Sequence, residues 1–109
     1  MDLYDVVITP RAESQLLAYA DYIVYTLLNE GAAKSLIQDA RETQESLSKA
    51  AGSLQYCRNP ILKRRGFRAI CFRRHNYIML YRIIGKTAYV EAIYHQSQDY
   101  ENLFIAEIK

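Results

Sequence analysis

Between residues 46 and 90 the chain contains no Asp or Glu. Structural salt bridging would intersperse carboxylates there, so the gap points to a partner rather than to internal pairing. Long apolar runs are missing too: no window of 18 residues is apolar enough for a membrane helix, and no membrane partner is expected. The opening MDLYDVVITP has neither the basic start nor the apolar run of a signal peptide. Cysteine is scarce, with Cys57 and Cys71 outside any C-x-x-C spacing, which excludes a disulfide framework and fits a reduced, cytoplasmic compartment. Both thiols read as packing residues. No metal-ligand spacing, Gly-rich phosphate loop or Ser-His-Asp arrangement is present, and no cofactor is expected. Repeats and low-complexity segments are also lacking.

What is present is an ordinary globular composition, 50% apolar and 24% charged over 109 residues. That length suits one domain, residues 1–109. The net charge of +2 conceals an uneven distribution. Residues 1–45 carry eight acids and three bases, residues 46–90 ten bases, and residues 91–109 four acids and one base. Seven of the bases fall in KRRGFRAICFRRHNYIMLYRI, residues 63–83.

Alternation of Tyr4, Val6 and Ile8 predicts a strand over about 3–8. Thr9-Pro10 then starts a helix, with Thr as N-cap and Pro at the first helical position. Ala12, Leu16, Tyr19, Ala20, Ile23 and Leu27 make one apolar stripe. Asn29-Glu30-Gly31 breaks it. A second helix follows over about 32–50, with Ala33, Leu36, Ile37, Ala40, Gln44 and Leu47 on its inner face. Residues 51–62 are expected as a loop, with Pro60 excluding a central strand. Three strands are predicted at about 66–74, 77–84 and 87–95, the last two joined by Gly85-Lys86. A short helix around Tyr100–Ile105 ends the chain. The expected fold is α+β, β-α-α-β-β-β, with a helical hairpin on one face of an antiparallel sheet.

Strand parity places Ile70, Phe72, Ile78, Leu80, Ile84, Ala88, Val90 and Ala92 beneath the helices. The other face then receives Cys71, Arg73, Tyr77, Met79, Tyr81, Tyr89, Glu91, Ile93 and His95. Arg82 and Arg68 belong to the helix-covered side, where Arg82 needs a carboxylate such as Asp21 or Asp39. Lys63, Arg64 and Arg65 lie in the loop leading in, and His75 sits exposed in the Arg74-His75-Asn76 turn. Basic side chains with interleaved tyrosines suit a polyanion, since cations neutralise phosphates and rings stack on bases. A basic groove with an apolar floor equally receives an acidic amphipathic peptide. The candidate nucleic-acid or partner-binding set is Lys63, Arg64, Arg65, Arg68, Arg73, Arg74, Tyr77 and Tyr81.

ITPRAESQLLAYADYI, GFRAICF, YIMLYRI and VEAIYHQSQDYENLF stand in an order and spacing that resemble the RelE/ParE superfamily of toxins from bacterial type II toxin–antitoxin modules. The resemblance covers nearly the whole chain. It implies a small cytoplasmic growth inhibitor neutralised by a cognate antitoxin whose helix and acidic tail wrap the toxin. RelE-like members cleave mRNA on the ribosome with basic side chains and a C-terminal Tyr or His; ParE-like members inhibit DNA gyrase. Ile78 stands where RNase members commonly carry Arg, and Ser97 and Leu103 where some place Arg and Tyr. The His95-x-x-x-Asp99 ending resembles the ParE side. Arg73, His95 and Tyr100 are the candidate catalytic residues if the chain is an endoribonuclease. In-line attack by a 2′-hydroxyl needs a base, an acid and cations on the phosphate oxygens. Three readings stay open: a ParE-like gyrase inhibitor, placed first; a ribosome-dependent endoribonuclease; and an inactive antitoxin-binding relic.

Overall fold

Thr9 ties the first helix to the sheet. In the computed structural model, which describes residues 3–108, its hydroxyl accepts from the Ala12 amide at 3.3 Å and donates to the Val90 carbonyl at 2.9 Å. The N-cap therefore satisfies an orphan helix amide and also sets where the helix leaves the sheet. From it run β1 (Asp5–Ile8), α1 (Pro10–Tyr25) and α2 (Glu30–Ala50), the last capped by the Asn29 side chain on the Ala32 amide at 3.0 Å. Then come a 3₁₀ turn (Ala51–Ser53), α3 (Pro60–Arg64), β2 (Arg68–Cys71), β3 (Tyr77–Ile84), β4 (Thr87–His95) and α4 (Tyr100–Ile108).

The sheet order is β1-β4-β3-β2. The β2–β3 and β3–β4 pairs are antiparallel as expected, while β1 joins β4 in parallel, with Val6 opposite Ala88. The sheet is thus mixed at one edge, because the α1–α2 hairpin carries the chain away from β1 without reversing it in the sheet. The segment expected as a 51–62 loop holds α3: Pro60 takes the first helical position and the Asn59 side chain accepts from the Ile61 amide at 2.9 Å. Pro60 thus excludes a strand and also begins a helix.

One sheet face packs on α1 and α2 through Leu16, Leu36, Ala40 and Leu47 against Phe72, Met79, Tyr81, Val90 and Ile93. The second face is covered by α3 and α4, with Leu62, Phe67, Phe104 and Ile105 over Ile78, Leu80, Ala92 and Tyr94. Phe67 meets Phe104 edge to face at 5.0 Å. This reverses the parity expected for β3. Tyr77, Met79, Tyr81 and Ile83 face the hairpin, and Ile78 and Leu80 face away from it. Residues 78–81 are all buried, so β3 has no solvent side from which alternation could be read. In β4 a bulge at Glu91, between the Leu80–Ala92 and Tyr81–Val90 pairings, switches the parity midway. Ala88 and Val90 before it, and Ile93 after it, face the hairpin.

Candidate functional site

The acidic first third and the basic middle of the chain meet at the β2–β3 turn. Asp39 lies on the apolar stripe of α2, three residues after Leu36, and is fully buried. Its carboxylate accepts from the amides of Arg73, Arg74 and His75 at 3.2, 3.0 and 2.9 Å, and stands 2.6 Å from His75 Nδ1. Three consecutive amides turned toward one point form an anion nest, here filled from within. Burial pushes the Asp39 carboxyl up, but the His75 and amide hydrogen bonds outweigh it and hold the group below its ordinary value. Next to it, Arg74 makes a two-pronged pair with Glu42 of α2 at 2.7 and 3.3 Å, which lowers the Glu42 carboxyl. Arg73 projects from the same turn, exposed, with no side-chain partner among the described residues.

Asp39 therefore serves the turn and not Arg82. Arg82 pairs through Nε with Glu91 at 2.6 Å and lies 5.2 Å over the Phe67 ring. It stands on the face away from the hairpin, since β3 parity is the reverse of the expectation. Arg68 is on the hairpin side, as expected. Its guanidinium donates to the Gly52 and Leu54 carbonyls and to the Tyr56 hydroxyl, and stacks 4.2 Å above the Tyr56 ring. It holds the 52–56 segment in place.

The tyrosines expected on an open face are turned inward. Tyr81 is fully buried, its hydroxyl donating to the Ala51 carbonyl at 2.7 Å, and burial raises its pKa. Tyr77 is half-buried among Tyr19, Phe72 and His95 at centroid distances of 5.0, 5.7 and 5.0 Å. His95 shares the hairpin face with Ile93, contrary to its expected place on the open face, and its Nδ1 accepts from the Ser97 amide at 3.1 Å. Tyr100 opens α4 on the opposite face, packed against the α3–α4 cluster, with its pKa raised by burial and by Glu101. Arg73, His95 and Tyr100 thus come from a turn pinned by α2, from the hairpin face, and from the α4 face.

Lys63, Arg64 and Arg65 remain as three exposed cations in and just after α3, with no carboxylate partner among the described residues. Arg58 is exposed beside them. This segment is fixed from α4, where Glu101 accepts from the Arg58 and Asn59 amides at 3.2 and 2.7 Å. Asp39, Glu101, Arg58 and Tyr56 escaped sequence reasoning as site-forming residues. An acid on an apolar helix stripe and the Asn59-Pro60 helix start were the signals available. Among the described residues no group of three or more His, Cys, Asp and Glu is placed to hold a metal ion.

Comparison with known proteins follows the same lines. In solved structures, the chromosomal ParDE toxin–antitoxin system of P. aeruginosa is similar at 22% identity, over 85% of this chain and 96% of that one, with a TM-score of 0.71. The RelBE2 toxin–antitoxin complex of Mycobacterium tuberculosis is similar at 21% identity, over 90% of this chain and 97% of that one, with a TM-score of 0.57. No curated protein sequence matches. Residues 6–100 match the family described as the ParE toxin of type II toxin–antitoxin system, parDE, and over that span, which runs from within β1 to the start of α4, the chain belongs to the ParE toxin family.

Proposed function

We propose that the chain is the toxin of a type II pair, that it inhibits DNA gyrase by binding it, and that a cognate antitoxin holds it inactive. The observation that carries this reading is the match of residues 6–100 to the ParE toxin family. Inhibition by binding needs a stable, self-neutralised scaffold with a few presented side chains, and the α2-anchored turn with Arg73 on it is of that kind. Such a target places the working protein in the cytoplasm. No helix of the described residues is long and apolar enough to cross a membrane.

The test is induction with and without the cognate antitoxin, with plasmid supercoiling and mRNA 5′ ends mapped in parallel. Loss of negative supercoiling with intact mRNA is the expected result. Codon-periodic mRNA breaks with normal supercoiling would overturn it.

A further inference from the structure

The four-stranded sheet has two edges, and the fold treats them differently. The β2 edge is covered at its start: Tyr56 bridges to Arg68, and the Arg68 side chain fastens the 52–56 segment alongside. The β1 edge is open. Asp5 and Thr9 donate into β4, to the Lys86 and Val90 carbonyls at 2.9 and 3.0 Å. Alternate residues of a parallel strand bond to its neighbour, so the amides and carbonyls of Tyr4, Val6 and Ile8 point outward. The Tyr4 amide is taken by the Ser48 carbonyl near the end of α2, at 2.8 Å. The amides of Val6 and Ile8 have no acceptor among the described residues.

Asp5–Ile8 holds no Lys, Pro or bulge of the kind that blunts a sheet edge. Val6 and Ile8 pack toward the helical hairpin, which turns Val7 to the opposite face, where it is 41% exposed. Beside this edge runs a groove of about 310 Å³ lined by Val6, Arg41, Gln44, Glu45 and Ser48. Arg41 and Glu45 stand one helical turn apart along it. Arg41 pairs with Glu13, while Glu45 is exposed and has no ion pair among the described residues. One cation and one anion on the same groove steer neither an acidic nor a basic peptide. A second copy related by a two-fold axis answers both, because such a contact sets Arg41 against the partner subunit's Glu45 and the reverse.

We propose that β1 pairs antiparallel with β1 of a second copy about a two-fold axis at Val7, joining two four-stranded sheets into one. Val6 then lies opposite the partner subunit's Ile8, and Ile8 opposite the partner subunit's Val6, as pairs that exchange both N–H···O bonds. Val7 meets the partner subunit's Val7 as the closer, non-hydrogen-bonded pair, about 4.5 Å apart at Cα, which takes its exposed face out of water. The contact is small, so the dimer is a weak one. This goes beyond the gyrase reading and does not depend on it. The test is sedimentation equilibrium of the full chain over a concentration series up to about 1 mM, with amide exchange followed by NMR across the same series. The expected result is a mass rising from one chain toward two, with the Val6 and Ile8 amides slowing as it rises. Val7→Lys sets like charges together at the axis and should weaken association about tenfold or more. Glu45→Lys, outside the strand, should weaken it about threefold, and it carries the test if Val7→Lys does not fold. The proposal is overturned by a chain that stays monomeric throughout, by a dimer that a folded Val7→Lys chain, or otherwise Glu45→Lys, leaves intact, or by a dimer whose Val6 and Ile8 amides exchange as in the monomer. Protection of those amides only after an antitoxin is added overturns it too, and gives the edge to an extended segment of that protein.

Discussion

Lys63-Arg64-Arg65 and Arg73-Arg74-His75 are two basic triplets of one acid-free segment, and the fold treats them in opposite ways. The second triplet is bound to α2 by backbone and side chain: Asp39 takes three amides and the His75 ring, and Glu42 takes the Arg74 guanidinium. The first is held only through backbone, by the Asn59 cap and by Glu101 on the preceding amides, and its three side chains stay in water. Equal charge density in sequence therefore serves assembly at one place and presentation at the other. The difference lies in whether an acid of the first helices is brought opposite.

The sharpest way to break this contrast is Asp39→Ala. It leaves three amides and an imidazole without their acceptor in a buried setting, and a loss of about 3–5 kcal/mol is expected in urea unfolding. Asp39→Asn separates charge from shape. Because the folded carboxyl is held below its ordinary value, its contribution is present above the unfolded carboxyl's pKa and is lost as pH falls through the folded one. Stability measured from neutral to strongly acid pH should therefore fall on the acid side in the parent and be flatter there in Asp39→Asn. An acid limb identical in both would show that the carboxylate is not the linked group.

Arg68→Ala probes the boundary between the two regions, since Arg68 ties β2 to the segment before α3. Losing these partly exposed bonds should cost about 1–2 kcal/mol and mobilise Tyr56, visible as faster hydrogen exchange over residues 52–57. Arg74→Ala removes an exposed pair and should cost less than Arg68→Ala, and less still at high salt. Smallest of all, single alanines at Lys63, Arg64 or Arg65 should change unfolding stability by no more than about 0.5 kcal/mol. If an α3 alanine proved as costly as Asp39→Ala, the division into assembling and presenting cations would fail.

Much of the architecture was legible. Thr9-Pro10 marked the α1 start, the α1 and α2 stripes named most of the buried rows, and the bounds of β3 and β4 follow from their apolar runs and the Gly85-Lys86 turn. Those signals are local: a cap, a fixed φ, a period of 3.6 or 2. The site was less legible. Tyr77 and Tyr81 read as open-face residues because parity presumes one wet face, and α3 and α4 remove it for β3. The Glu91 bulge then shifts half of β4 by one, which no composition rule announces. Asp39 enters the sequence reading only beside Asp21, as a carboxylate for Arg82, because its partners are backbone amides with no side-chain signature.

By itself the sequence determined the α+β order of elements apart from α3, the family resemblance, and the fact that positive charge collects between residues 46 and 90. Caps, periodicities and charge counts are properties of neighbouring residues, so they survive without a fold. Only the tertiary structure decided which of those charges are neutralised. Arg74 meets Glu42 and the 73–75 amides meet Asp39 across more than thirty residues, whereas Lys63, Arg64 and Arg65 meet no acid among the described residues. Electrostatic pairing acts over a few ångströms of space and not over sequence distance, so what a cation is for depends on what the packing of the helices sets beside it.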